Sequence, residues 1–311
     1  MSSVDRVPVL PPMPSEVPAG RVPAWRLDQR VHRSCPVCGE ESGAPVCRRP
    51  DGLVVERCPG CGMLYVADIP SDEDLERIYR DYGGYKTSLR LRPSWRYHLL
   101  PIKPPDPGIE VLLESGGLRG KTLCEFGCSF GTFLGRARGE GAIVTGVELD
   151  EHALEALRRS GIRAGREVPA NESFDIVCAF QFIEHLPRPA EFVAAASRML
   201  VGDGRLLLAF PNGGEAERVG PGWIGYRVDL EHLNYFSVAT LTRLLGAAGL
   251  ALEGFWESEQ PKVGRGGDGR IGWARQSRRL AGRLWGIQGA NQGTYGLSAL
   301  ARKVAVEGGN V

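Results

Sequence analysis

The chain has 311 residues, 42% of them hydrophobic and 24% charged, a balance that suits a folded chain of about two domains and excludes a low-complexity tract. Thirty-eight basic against 37 acidic residues leave a net charge of +1, which argues against a global nucleic-acid-binding bias. No apolar run approaches the roughly 18 residues of a membrane-spanning helix.

Residues 1–30 are Pro-rich, lack the apolar core of a signal peptide and read as a disordered leader, so the expected location is cytoplasmic. Residues 31–67 carry Cys35-Pro-Val-Cys38 and Cys58-Pro-Gly-Cys61, two C-x2-C pairs separated by 19 residues. That spacing is a zinc ribbon's. Each pair closes a tight knuckle that presents two thiolates to one tetrahedral ion, and Gly39 and Gly62 follow where a positive φ is often needed. Four thiolates fill the shell, so the expected Zn2+ is structural. Two symmetric knuckles argue against a redox motif, and a reducing compartment against disulfides. Cys47 and His32 lie nearby but belong to neither knuckle. LVVERC and MLYVAD supply the short strands.

Residues 68–108 read as a helical connector. Ser71 caps an acidic first turn, and Leu75, Ile78, Tyr79 and Tyr82 keep a helical period through residues 71–85. The tyrosines suit simple packing, or closure over a cofactor. A Pro-rich stretch follows at 101–108. From 109 to 311 helix and strand patterns alternate. The strands are expected at KTLCEF, AIVTGVE, IRAG, FDIVCAF, GRLLLAF, LALEGFWESE and TYGLSALARKV. Helices are expected at 108–116, after Ser129, after Asp150 as N-cap with Gly161 as C-cap, at 188–200, and after Ser237. The fold predicted is α/β, a Rossmann-like, mostly parallel sheet flanked by helices, with the zinc ribbon in front. The stretch 211–236 is long for a loop and carries Trp223, Tyr226 and Tyr235, so it reads as an acceptor-binding lid. Residues 262–283 hold seven basic residues and one acid. Residues 269–285 can be drawn as an amphipathic helix, and the run suits a solvated basic face or attraction to a phosphate-bearing ligand.

The chemistry concentrates at KTLCEFGCSFG, 121–131, and VTGVELD, 144–150. Each apolar run ends in an acid, Glu125 and Glu148, and strand ends are where ligands bind in open α/β sheets. Gly127 and Gly131 let the backbone turn and a ligand approach. Glu148 stands 23 residues after Glu125, at the distance where an acid accepts hydrogen bonds from ribose hydroxyls. Ser129 stands where a dinucleotide site would have a third glycine. A ribose-bearing cofactor without a phosphate fits better, and S-adenosylmethionine (SAM) is one. Gly127-Cys128-Ser129-Phe130-Gly131 also matches the G-x-S-x-G nucleophile elbow of hydrolases, but the segment before Lys121 is mostly Cys-rich, Pro-rich and helical in pattern and holds no HGGG-type segment.

Together CPVC…CPGCGMLYV, TLCEFGCSFGTFL, VTGVELD, FDIVCAFQFIEHLPRP, GRLLLAFPN and DLEHLNYFSVATLTRLLGAAGL resemble a class I SAM-dependent methyltransferase of the subgroup with an N-terminal zinc ribbon. Methyltransferases of sugars, polysaccharides and natural products are among those resembled. The resemblance implies a seven-stranded sheet whose last strand is antiparallel. It implies that Glu125, Gly127 and the backbone of Cys128, Ser129 and Gly131 hold the methionine part and ribose of SAM. Glu148 would bind the ribose hydroxyls, Leu149 would lie against the adenine, and Phe180 and Gln181 would line the sulfonium. This chain departs from the family's G-x-G-x-G at Ser129.

Methyl transfer to an alcohol or amine needs a base, and imidazole suits that role near neutral pH. His185 and His232 both follow strand ends, each directly after a glutamate (Glu184 and Glu231), and His232 is the better candidate. The expected partner is a small-molecule acceptor bearing a hydroxyl, and the basic run suits one that also bears a phosphate. The competing readings are an RNA-modifying methyltransferase gripping RNA through its ribbon, a non-catalytic zinc-scaffolded binding protein, and a nicotinamide enzyme. Near-neutral charge disfavours the first, and the intact Gly loop with Glu148 the second.

Overall fold

Knuckles and hairpins built around four cysteines open the fold in this computed structural model, which describes residues 7–10, 24–78, 111–112, 117–168, 171–223, 225–228, 230–259 and 294–304. Strand β1 (Val31–His32) pairs antiparallel with β5 (Asp68–Ile69), while β2 (Ala44–Arg48), β3 (Val54–Arg57) and β4 (Leu64–Val66) form an antiparallel meander. Residues 72–78 are helical, and Ser71 caps them by accepting from the Asp74 N–H at 3.2 Å. Tyr79 and Tyr82 lie outside the described residues, as do the proposed helix at 269–285 and the basic run at 262–283.

The larger sheet contains β6 (Thr122–Phe126), β7 (Ile143–Val147), β8 (Arg163–Gly165), β9 (Phe174–Phe180), β10 (Leu200–Pro211), β12 (Leu250–Glu259) and β13 (Thr294–Lys303). Its order is β12-β13-β10-β9-β6-β7-β8, with β13 antiparallel to both neighbours and the remaining strands parallel to one another. FDIVCAF folds as β9 because a strand covered on both faces needs a nearly continuous apolar run. Chain order reverses between β6 and β9, and ligands bind outside the carboxyl ends of strands at such a switch point.

Helix α1 (Thr132–Gly139) places Phe133, Leu134 and Ala137 on one face of the sheet, joined by Leu157 of α2 (Glu151–Arg159). Helices α3 (Pro189–Met199) and α6 (Val238–Ala247) cover the other face with Val193, Ala196, Leu241, Leu244 and Leu245. Asp150 caps α2 by accepting from the His152 N–H at 2.9 Å. The residue closing α2 is Ser160, with Gly161 one place beyond it at φ 69°. Ser237 and Thr240 form a reciprocal capping box at α6, an arrangement worth about 1 kcal/mol.

Two expectations need correction. The leader is partly structured: Pro8 and Leu10 exchange backbone bonds with Arg48, and buried Trp25 donates its indole N–H to Asp51 at 2.8 Å. The 211–236 stretch is not an open lid. It folds into α4 (Gly213–Val219), α5 (Gly225–Val228) and β11 (Asn234–Tyr235), and β11 pairs with β4 to complete the four-stranded cysteine sheet. Trp223, Tyr226 and Tyr235 are buried there with Val55, Leu64 and Val66. Aromatic rings of that size gain most by burial, and the cysteine sheet offered them an apolar face. Cys35 and Cys58 in turn share one core with Ile183, Phe236 and Leu241, so the cysteine module is fused to the sheet's end.

Candidate functional site

The first wall of the site is the loop between β6 and α1. Gly127 and Gly131 have φ of 68° and 69°, the left-handed region that disfavours a side chain. A Cβ at Gly127 would stand 2.8 Å from Cδ2 of Phe182, and one at Gly131 would stand 2.3 Å from Cδ2 of Leu157. The loop therefore closes as tightly as its glycines allow. Ser129 turns at φ 48°, and its N–H donates to Oε2 of Glu148 at 2.8 Å. The other oxygen of Glu148 accepts from the N–H groups of Leu149 and Asp150 at 2.7 and 3.0 Å. A carboxylate has about four acceptor positions, so a held Glu148 can still accept from a ligand.

Glu125 is buried near the end of β6, and Leu149 lies exposed beyond Glu148. The Phe180 ring packs edge-on against Phe133 at 4.6 Å, and Gln181 turns out of β9 with φ 49°. All these predicted residues lie at the carboxyl ends of β6, β7 and β9. Cys128 packs its sulfur over Gly146, where a Cβ would meet it at 2.7 Å, and burial pushes its thiol well above the ordinary value. Burial likewise pushes the Cys124 thiol up to about 12, so both are protonated apolar fillers at neutral pH.

The second wall carries the histidines. Directly after β9, the turn Ile183–His185 brings His185 to His232, their rings meeting edge to face at 4.7 Å. Glu184 is buried, and its Oε1 lies 3.9 Å from His232 Nε2. A carboxylate oxygen of Glu184 and a ring nitrogen of each histidine all lie within 4.8 Å of one another. His232, 3% exposed, sits deeper than His185.

Three residues that the sequence did not single out hold this wall. Arg49 is wholly buried, and its guanidinium donates to Asp51, to Tyr235 Oη at 2.8 Å and to the carbonyls of His232 and Leu230. Burial opposes that charge, but Asp51 and Tyr235 outweigh it and hold the guanidinium protonated. Arg33 donates to the carbonyls of Val66, Pro187 and Leu233 at 3.0, 2.6 and 2.9 Å and to Asn234 Oδ1 at 2.9 Å. Burial pulls Arg33 down to about 10, which still leaves it charged at neutral pH. Asn234 closes the circuit by donating to the Leu186 carbonyl at 2.8 Å. A basic residue in a small ribbon gives no outward sign of burial; the one local hint was the Arg49-Pro50-Asp51 turn.

The four knuckle cysteines converge. Cys35 and Cys61 sulfurs are 3.6 Å apart, Cys38 and Cys58 sulfurs 3.4 Å apart, and all four lie within 4.8 Å of one another. Tetrahedral Zn–S bonds of about 2.3 Å place sulfurs roughly 3.8 Å apart, so the donor set fits that ion. Gly39 and Gly62 close the knuckles at φ 76° and 78°, each donating to the first cysteine's carbonyl at 2.9 Å. Cys47 is buried elsewhere, and His32 pairs with Asp68 at 2.8 Å.

Residues 103–253 match a family described as a methyltransferase domain. The chain is 30% identical over 111 residues to the ubiquinone biosynthesis O-methyltransferase of Pseudomonas paraeruginosa, covering 32% of this chain and 48% of that protein. To the protein of the same description in Idiomarina loihiensis it is 29% identical over 160 residues, 44% of this chain and 64% of the relative. The chain thus spans about half to two thirds of the length of these relatives. A crystal structure of the Burkholderia thailandensis 1,6-didemethyltoxoflavin-N1-methyltransferase shares the fold with a TM-score of 0.50 at 16% identity, over 78% of this chain and 95% of that one. Among the described residues no helix is long and apolar enough to cross a membrane.

Proposed function

We propose that this protein transfers a methyl group from SAM to a hydroxyl of a small-molecule acceptor, such as a sugar or natural-product intermediate. The observation that supports this reading is the approach of Phe182, on the segment that carries His185, to Gly127 of the glycine loop, with His185 packed ring to ring on His232. The O-methyltransferase relatives support oxygen as the accepting atom.

Bound at the loop, SAM supplies an electrophilic methyl group for in-line displacement. Glu125, Gly127, Gly131 and the backbone of Cys128 and Ser129 cradle the methionine part and ribose. Glu148 accepts from the ribose hydroxyls, Leu149 covers the adenine, and Phe180 and Gln181 border the reacting centre. His232 takes the acceptor's proton, with Glu184 facing its Nε2 and His185 packed against its ring. Cys35, Cys38, Cys58 and Cys61 hold a structural zinc ion, and four cysteines outside any disulfide suit the cytoplasm. The basic run at 262–283 suits an acceptor that bears a phosphate.

Calorimetry with S-adenosylhomocysteine tests the cofactor assignment. The parent is expected to bind it, and Glu148→Ala to bind about 10- to 100-fold more weakly, the worth of a charged hydrogen-bond acceptor. Failure of the folded, zinc-loaded parent to bind would sink the reading.

A further inference from the structure

The geometry points to Arg33 and Arg49 as positioning residues for the histidine pair, so that the cysteine module is a working part of the acceptor side and not only a folding anchor. This inference rests on the proposed role of His185 and His232.

The two histidines arrive on separate segments, 183–187 after β9 and 230–235 before α6. Neither segment is a regular strand or helix over its length, so neither can aim an imidazole by itself. What fixes them comes from the cysteine module. Arg33, two residues before Cys35, reaches both segments at once, bonding the Pro187 carbonyl on one and the Leu233 carbonyl and Asn234 Oδ1 on the other. A planar guanidinium with five donors in a fixed fork can make that span, and a lysine ammonium cannot reproduce its directions. Arg49, one residue past β2, holds the carbonyl of His232 itself, together with those of Leu230 and the Tyr235 hydroxyl. Asp51 fixes Arg49 from behind and is itself held by the Trp25 indole.

Two clips between the segments complete the frame. The Leu233 N–H donates to the Glu184 carbonyl at 2.8 Å, and the Asn234 amide donates to the Leu186 carbonyl. The side chains of Glu184, His185 and His232 are therefore set by backbone held on both sides. An in-line methyl transfer needs its base placed to a fraction of an ångström, and misplacement by about 1 Å can cost 100-fold in rate.

The test uses the full, zinc-loaded chain with nitrogen-labelled histidines. Arg33→Gln, Arg33→Lys and Arg49→Lys are compared with the parent in S-adenosylhomocysteine affinity, in the NMR titration of the His185 and His232 rings, and in kcat. The charged and titratable groups around His232 are Glu184, His185, Glu231, Arg33 and Arg49; Arg33→Lys and Arg49→Lys keep every one of those charges, so a shifted titration in them reports geometry, whereas Arg33→Gln also removes a charge. The expected result is cofactor affinity within about twofold of the parent, a shifted histidine titration, and a kcat about 10- to 100-fold lower in Arg33→Gln, partly regained in Arg33→Lys. Folded variants with unchanged ring titrations or unchanged kcat would reduce the arginines to ordinary packing and overturn the inference. Should the arginine variants not fold, Asn234→Ser removes the clip, leaves both arginines, and carries the same expectation. The ring titration needs neither cofactor nor acceptor. A parent that binds no S-adenosylhomocysteine would therefore sink the proposed function while the titration still decides the arginines' role.

Discussion

The two walls of the site are built in opposite ways. The first wall, the proposed cofactor side, is local: Glu125, the glycine loop and Glu148 lie within one β–loop–α–β unit, and its tie from Ser129 to Glu148 spans 19 residues. The second, the proposed acceptor side, is assembled from afar, with Arg49 bonding His232 across 183 positions and Arg33 bonding Asn234 across 201. A local wall survives as long as its own turn does. A long-range wall fails when any distant contributor fails, so the two should part company under mutation.

The largest expected effect comes from the proposed zinc site. Structural zinc supplies on the order of 10 kcal/mol of apparent folding free energy, so Cys38→Ser or chelation should unfold the cysteine module. Thermal melting with metal analysis checks this; a variant retaining the parent's midpoint and zinc content would break the account of the cysteines. Next in size, His232→Gln should lower kcat by about 100- to 10,000-fold, the span of general-base catalysis. S-adenosylhomocysteine affinity should hardly change, and equal losses in both would mean that the walls are not separable. Gly131→Ala is the converse probe. A side chain at φ 69° costs about 1–2 kcal/mol before its clash with Leu157, so cofactor affinity and stability should drop together while the histidine titrations stay in place.

The smallest effect is expected outside both walls. Asp175 ties the far ends of β9 and β6, accepting from the Thr122 N–H and hydroxyl and from Lys121, each at 2.9 Å. Burial alone would raise its carboxyl, but those bonds outweigh burial and lower it. A depressed folded-state value means that the contribution is present above the ordinary aspartate range near pH 4 and is lost as pH falls through the lower folded value. Asp175→Asn should cost about 1–2 kcal/mol at neutral pH and flatten acid unfolding below about pH 4, with catalysis untouched. Urea titrations at two pH values measure it.

The same contrast explains what could be read without coordinates. The seven-stranded sheet was legible because its apolar runs alternate with capped helices, as at Asp150 and Ser237. The glycine loop was legible because its requirements are met by neighbours. The 211–236 stretch was misread as a lid because β11 has its partner, β4, far upstream, and no local pattern records a distant pairing. Arg49 was invisible for a related reason: alone in a sequence a basic residue looks solvated, and only the carbonyls of Leu230 and His232 show that it is enclosed.

The pairing of β4 with β11 also sets a schedule for synthesis. At about 5–20 residues per second, a ribosome needs roughly 8–34 s to move from Tyr65 of β4 to its partner Asn234, 169 positions on (234 − 65). Through that interval β4 presents an open edge of unpaired backbone groups, the kind that invites other chains. Nascent chains halted before β11 should therefore be cut by protease within the cysteine sheet, and chains released past Tyr235 should resist.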